Sequence, residues 1–143
     1  MAISALIVDD EKPARDELAF LLEGFTDIAV VGEASNGVEA FNFIKSKSPD
    51  LVFLDVQMPG LDGFGLLRKL VEKRVPLPHV IFATAFDQYA VQAFEVNAVD
   101  YLLKPFDKPR LEKAVARARS VMGDPEASAG RIETLLHQLG RPP

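Results

Sequence analysis

LVFLDVQMPGLDG, residues 51–63, carries four apolar residues into an acid, Asp55, and then into a loop with a proline and two glycines. A short apolar run bounded by turn residues reads as a strand buried on both faces, as strands of a parallel sheet are. Outward from it, ISALIV (3–8), AVVGEA (29–34), VIFAT (80–84) and VDYLL (99–103) repeat the pattern, with amphipathic segments between them. That alternation is the signature of βα units around a parallel sheet. We expect five strands and five helices.

The helices show themselves by period. Ala14, Leu18, Leu21, Leu22 and Phe25 form one stripe, with Pro13 in the first turn, where a missing N–H costs least. Val38, Phe41 and Ile44 predict the buried face of the second helix, and Leu67, Leu70 and Val71 that of the third. In the fourth, DQYAVQAFEVNA, the expected inner face is Ala90, Ala93, Phe94 and Asn97. The fifth starts near Asp107, a suitable N-cap, and should bury Leu111, Val115, Ala118 and Met122. Gly65 reads as a local misfit of about 1 kcal/mol against alanine inside the third helix. GDPEASAGR (123–131) has linker composition, and IETLLHQLG after it suits a short helix. The expected organisation is one domain over residues 1–122, then a linker and short helical tail over 123–143.

At 143 residues and 48% hydrophobic, the chain suffices for one compact core. With no cysteine, there is no disulfide, thiolate metal site or cysteine nucleophile, which suits a reducing compartment; the cytoplasm is expected. No apolar run approaches the ~20 residues that cross a bilayer, and the start turns acidic too soon for a secretory signal, so no membrane partner is expected. A net charge of −5 argues against non-specific attraction to DNA, which would be reached only through a domain not in this chain.

In open α/β sheets ligands bind beyond the carboxyl ends of the strands, where the strand order reverses. Asp9 and Asp10 end the first strand and Asp55 the third. In the 2-1-3-4-5 order of a doubly wound sheet these strands are neighbours, about 4.8 Å apart. Acids at strand ends are ordinarily solvated or cap the next helix. Three converging on one spot repel, so they take up protons or share a cation. Oxygen ligands favour a hard divalent ion, Mg²⁺ first. Thr84 ends the fourth strand, and Lys104, after the fifth, has a stem long enough to point back at Asp55. A carboxylate, a hard metal, a hydroxyl and a lysine are the parts of a phosphoryl-transfer site with an aspartate nucleophile. The loop after Asp55 can turn a carbonyl toward the metal. His79, at the opposite end of the fourth strand, and His137, in the tail, read as bystanders.

LIVDDE, DLVFLDVQMPGLDGFGLL, VIFATA and DYLLKPF stand in an order and spacing that resemble the receiver domain of two-component response regulators, over Ile3 to Val121. The resemblance implies a flavodoxin-like (βα)₅ fold and Asp55 as phosphoacceptor. It implies Asp10, Asp55 and the Gln57 carbonyl as Mg²⁺ ligands, with Asp9 acting through water. Thr84 and Lys104 become phosphoryl contacts, Thr84 and Tyr101 the switch pair, and Lys104–Pro105 a cis bond. EKPARDEL (11–18) and AFDQYAVQAFEVNAVDYLLKPF (85–106) are similar to receivers attached to LytTR-type (LytR/AlgR-like) DNA-binding domains; that output domain is expected to be absent here.

The implied partner is a sensor histidine kinase. The implied activity is no more than Mg²⁺-dependent self-phosphorylation and autodephosphorylation of Asp55. Phosphorylation is expected to alter the surface of the fourth helix, fifth strand and fifth helix. Two copies would there set Asp87, Glu95 and Asp100 against some of Lys108, Arg110, Lys113, Arg117 and Arg119. A haloacid-dehalogenase-like phosphatase would need a second acid where this chain has Gln57. A flavin carrier needs phosphate donors where it has Asp9, Asp10 and Glu11, and a dinucleotide-binding domain needs G-x-G-x-x-G. The closest rival is a receiver turned phosphorylation-independent interaction module.

Overall fold

The structure, a computed structural model, describes residues 2–123. The elements alternate as the sequence predicts: β1 (Ile3–Val8), α1 (Lys12–Leu22), β2 (Ile28–Ala34), α2 (Gly37–Lys47), β3 (Leu51–Leu54), α3 (Gly63–Glu72), β4 (His79–Thr84), α4 (Ala90–Glu95), β5 (Asp100–Leu103) and α5 (Lys108–Met122). All strand pairings are parallel, in the order β2-β1-β3-β4-β5. This is the doubly wound, flavodoxin-like sheet. The expected linker and tail lie outside the described residues, Gly123 excepted.

Alternation along each strand sends side chains to two apolar layers. Ala5, Ile7, Leu51, Phe53, Ile81 and Leu102 meet Leu18 and Leu22 of α1 and Leu111, Val115 and Ala118 of α5. Leu6, Val8, Val52, Leu54, Val80 and Phe82 meet Phe41, Ile44, Leu67, Leu70 and Ala93 of α2, α3 and α4. All of β3 is buried, which is why its four residues read as an unbroken apolar run.

Two helix faces differ from expectation. Val38 is 52% exposed, and the inner face of α2 is Gly37, Ala40, Phe41 and Ile44. Asn36 caps the helix by accepting the Glu39 N–H at 2.8 Å; Gly37, Ala40, Phe41 and Ile44 fall at i, i+3, i+4 and i+7 of one face, and Val38 is turned about 100° from Gly37 to its edge. In α4 only Ala93 is buried, while Ala90 is exposed and Phe94 is 83% exposed. A six-residue helix turns too little to present a broad stripe, and Val96 and Val99 beyond it supply the apolar contacts. Asn97 lies past the helix at φ 59, a left-handed position that asparagine tolerates. Gly65 is no misfit: it is the third residue of α3, its N–H donates to Asp62 Oδ1 at 2.7 Å, and a Cβ there would sit 2.9 Å from Leu61 Cδ1.

Asp107 caps α5 by accepting the Arg110 N–H at 2.9 Å. Asp100, buried at the start of β5, ties the same helix to the sheet. Arg110 donates to both its oxygens at 2.8 Å, and Arg117 lies 3.1 Å from Oδ1. Burial acts to raise this carboxyl, but the Arg110 fork, the Tyr101 N–H and Arg117 outweigh it and hold it below its usual value. Its stabilising contribution is therefore present above the ordinary carboxylate range and is lost as pH falls through the depressed folded value. Asp100→Asn should cost about 2–3 kcal/mol at pH 7, less than a fully buried pair because both arginines keep partial exposure. Urea unfolding checks this: the gap between wild type and variant should narrow as pH is lowered.

Candidate functional site

β1 and β3 pair in register from Ala5↔Leu51 to Val8↔Leu54, which brings Asp9 and Asp55 out side by side at the carboxyl end of the sheet. The Asp55 N–H donates to the Val8 carbonyl at 3.0 Å, so the alignment holds to the last residue. Asp9 and Asp55 are buried and Asp10 is exposed; one carboxylate oxygen from each lies within 4.8 Å of the others. Behind Asp55 the chain folds back at Gly63, whose N–H donates to the Val56 carbonyl at 2.8 Å. A Cβ at Gly63 would come within 2.6 Å of the Asp55 carbonyl oxygen.

β4 and β5 bring the remaining groups. Thr84 is fully buried at the end of β4, and its Oγ1 accepts the Phe86 N–H at a long 3.4 Å. The Lys104 N–H donates to the Thr84 carbonyl at 2.8 Å, and the Lys104–Pro105 peptide is cis, as the resemblance implies. Lys104 Nζ stands 3.5 Å from Asp55 Oδ2 but only 2.5 Å from Asp9 Oδ2. The lysine therefore points across the sheet as expected, yet reaches past Asp55 to the next strand. Burial, the largest single influence, acts to lower its ammonium, but the hydrogen bonds and charges of Asp9 and Asp55 together outweigh it and hold the ammonium above its usual pKa.

Burial is the main cause pushing Asp55 up, with Asp9 adding to it; the Thr84 hydroxyl and Lys104 draw it back. Asp55 Oδ1 is buried and has no hydrogen-bond partner. A buried, unmatched acceptor costs free energy, and a cation beside it removes that cost. The donor set, a carboxylate oxygen from each of three aspartates, fits a hard cation.

Around this point lies an open cleft lined by Asp10, Asp55, Gln57, Asp62, Phe86, Tyr89 and Lys104. Tyr101 is partly buried, its hydroxyl donates to the Phe86 carbonyl, and its ring centroid lies 6.1 Å from that of Phe82. Gln57 sits at the cleft edge, where its side chain donates to the Tyr89 hydroxyl at 2.5 Å. Sequence reasoning missed that partner, and it missed Arg15, which donates to the Asp9 carbonyl at 2.7 Å. Both lie in the quoted segments EKPARDEL and AFDQYAVQAFEVNA, which carried the only signal. His79 opens β4 at the far end of the sheet, and His137 is outside the described residues.

The family described as response regulator receiver domain matches residues 5–116. The chain belongs to this family. It is thus the receiver domain of a two-component response regulator. It is 46% identical over 122 residues to the sensory transduction protein LytT of Bacillus subtilis, covering 85% of this chain and 50% of that one. It is 48% identical over 117 residues to the transcriptional regulatory protein BtsR of Escherichia coli, covering 82% and 48%. Among solved structures it resembles the REC domain of AraT from Geobacillus stearothermophilus, with 35% identity, a TM-score of 0.75 and coverage of 86% and 97%. The receiver spans about half the length of the curated relatives it matches. No helix among its described residues is long and apolar enough to cross a membrane.

Proposed function

We propose that this receiver is a phosphoacceptor switch in which Asp55 takes a phosphoryl group from the phosphohistidine of a sensor histidine kinase. The observation that carries the reading is Asp55 Oδ1, buried and unpartnered at the strand end where Asp9, Asp10, Thr84 and Lys104 converge. An ionised Asp55 attacks phosphorus as the bond from phosphorus to the histidine nitrogen breaks, and the bonding pair stays with the imidazole. No general base is needed, and Lys104 favours the ionised form. Asp9, Asp10, Asp55 and the Gln57 main-chain carbonyl would hold Mg²⁺, which when bound supplies positive charge against the phosphoryl oxygens. The Lys104 ammonium and the Thr84 hydroxyl offer further charge and a hydrogen bond to the same oxygens.

Output follows from Thr84. Drawn toward the phosphoryl group, it leaves space that Tyr101 turns inward to fill, giving up its bond to Phe86, a shift between two existing states. The surface affected is α4-β5-α5, through which two copies associate. Of the charges expected to pair between copies, Asp100 is held by Arg110 and Arg117 of its own chain and Arg119 by Asp27, which leaves Asp87 and Glu95 to meet Lys108 and Lys113. Val91, Phe94 and Leu103, which are 71%, 83% and 45% exposed, add an apolar part to that surface. Sedimentation should show tighter self-association of the phosphorylated form, weakened by salt to the extent that charges pair across the contact. Equal association constants for the two forms would mean that the signal leaves by another surface.

The whole protein, on this reading, is a cytoplasmic regulator in which residues 123–143 lead to a LytTR-type DNA-binding domain. The likeness to LytT and BtsR and the half-length match support it. Phosphate release separates the switch from an enzyme: one phosphoryl group held per chain supports the switch, and sustained turnover of a small phosphodonor supports a phosphatase.

A further inference from the structure

We infer that Arg15 is a positioning residue for the cation site: pinned by Glu33, its guanidinium fixes the peptide that joins Asp9 to Asp10. This rests on the reading that these carboxylates hold a divalent cation. Arg15 Nε donates to Glu33 Oε1 at 3.0 Å, and Nη1 donates to the Asp9 carbonyl at 2.7 Å. The Arg15 side chain is 15% exposed and its bond to the Asp9 carbonyl is partly buried, where charge-assisted hydrogen bonds gain strength, while the anchoring Glu33 is 40% exposed. Glu33 belongs to β2 and pairs in register with Ile7 of β1, so the anchor moves with the sheet.

The other polar groups of Asp9 are already engaged. Its N–H donates to the Ala34 carbonyl at 3.1 Å, Oδ1 accepts the Glu11 N–H at 2.9 Å, and Oδ2 takes Lys104. The carbonyl is left to Arg15. Among the described residues no other hydrogen bond reaches the Asp9–Asp10 peptide, so this one sets the plane from which Asp10 projects into the cleft.

The sign of the effect separates positioning from simple charge. Arg15 places a positive charge beside a cation site, so on Coulomb's law alone its removal tightens Mg²⁺ binding. Loss of positioning does the reverse, as removal of outer partners does at metal sites generally. The test is a Mg²⁺ titration followed by amide NMR shifts on wild type, Arg15→Met and Arg15→Lys. Arg15→Met should weaken binding by about tenfold, the lower end of the range for such partners. Arg15→Lys keeps the charge but lacks the fork that spans both acceptors, and should weaken it by about 2–5-fold.

Unchanged or tighter binding in folded Arg15→Met overturns the inference. Should that variant fail to fold, Arg15→Lys decides in the same way, because charge alone predicts no change for it. A wild-type chain with no saturable Mg²⁺ response overturns the cation reading itself, and the inference with it, before any variant is compared.

Discussion

Asp55→Asn should reduce phosphoryl incorporation to background, a loss of more than about a thousandfold, since a carboxamide keeps the shape of the side chain but has no anionic oxygen to attack phosphorus. The same variant should fold at least as well as wild type. Burial and Asp9 raise the Asp55 carboxyl, so the folded state favours its protonated form. The folded-state preference is fully present below the ordinary carboxylate range and is lost as pH rises through the raised folded value. Asparagine has no such ionisation. Its advantage in urea midpoint over wild type should therefore be larger at pH 8 than at pH 4. Labelling loss with a preserved midpoint locates the effect in chemistry, whereas labelling loss with a collapsed midpoint would assign it to folding.

The second large effect is expected from the metal. Excess chelator should abolish phosphorylation, and Asp10→Asn should weaken Mg²⁺ binding by about tenfold or more. Asp9→Asn should cost less metal affinity, because both Asp9 oxygens are already engaged, by the Glu11 N–H and by Lys104, whereas Asp10 is exposed with no hydrogen bond or ion pair among the described residues. Asp9→Asn carries a separate cost, since it removes the closer anchor of the lysine and leaves Asp55 to hold it at 3.5 Å. NMR shifts or calorimetry read both variants, as the chain has no tryptophan to report by fluorescence. Equal phosphorylation with and without chelator would exclude the metal from the reaction.

The positions of Asp9, Asp10, Asp55, Thr84 and Lys104 were legible because a parallel sheet fixes where strand ends fall, and apolar runs as plain as LVFL mark the ends. What escaped depends on rotation and reach. Val38 and Phe94 lie at sound helical spacing, but the sheet packs on the neighbouring face of α2 centred on Gly37, Ala40, Phe41 and Ile44, and α4 is too short for a stripe. Lys104 reaches Asp9 rather than stopping at Asp55 because its stem spans two strands, and spacing along the chain does not say which acid it meets. Asp100 looked like a surface acid; its neutralisation by Arg110 and Arg117 exists only once α5 packs on β5. Arg15 was one charge in a charged helix until the fold set it between β2 and the Asp9 turn.

Intact mass after incubation with Mg²⁺ and a small phosphodonor, followed by mapping of the modified peptide, tests the account most directly. The prediction is one added phosphoryl group per chain, carried by the peptide holding Asp55 and absent from Asp55→Asn. An unmodified wild-type mass, or a phosphoryl group mapped to any other residue, would contradict it.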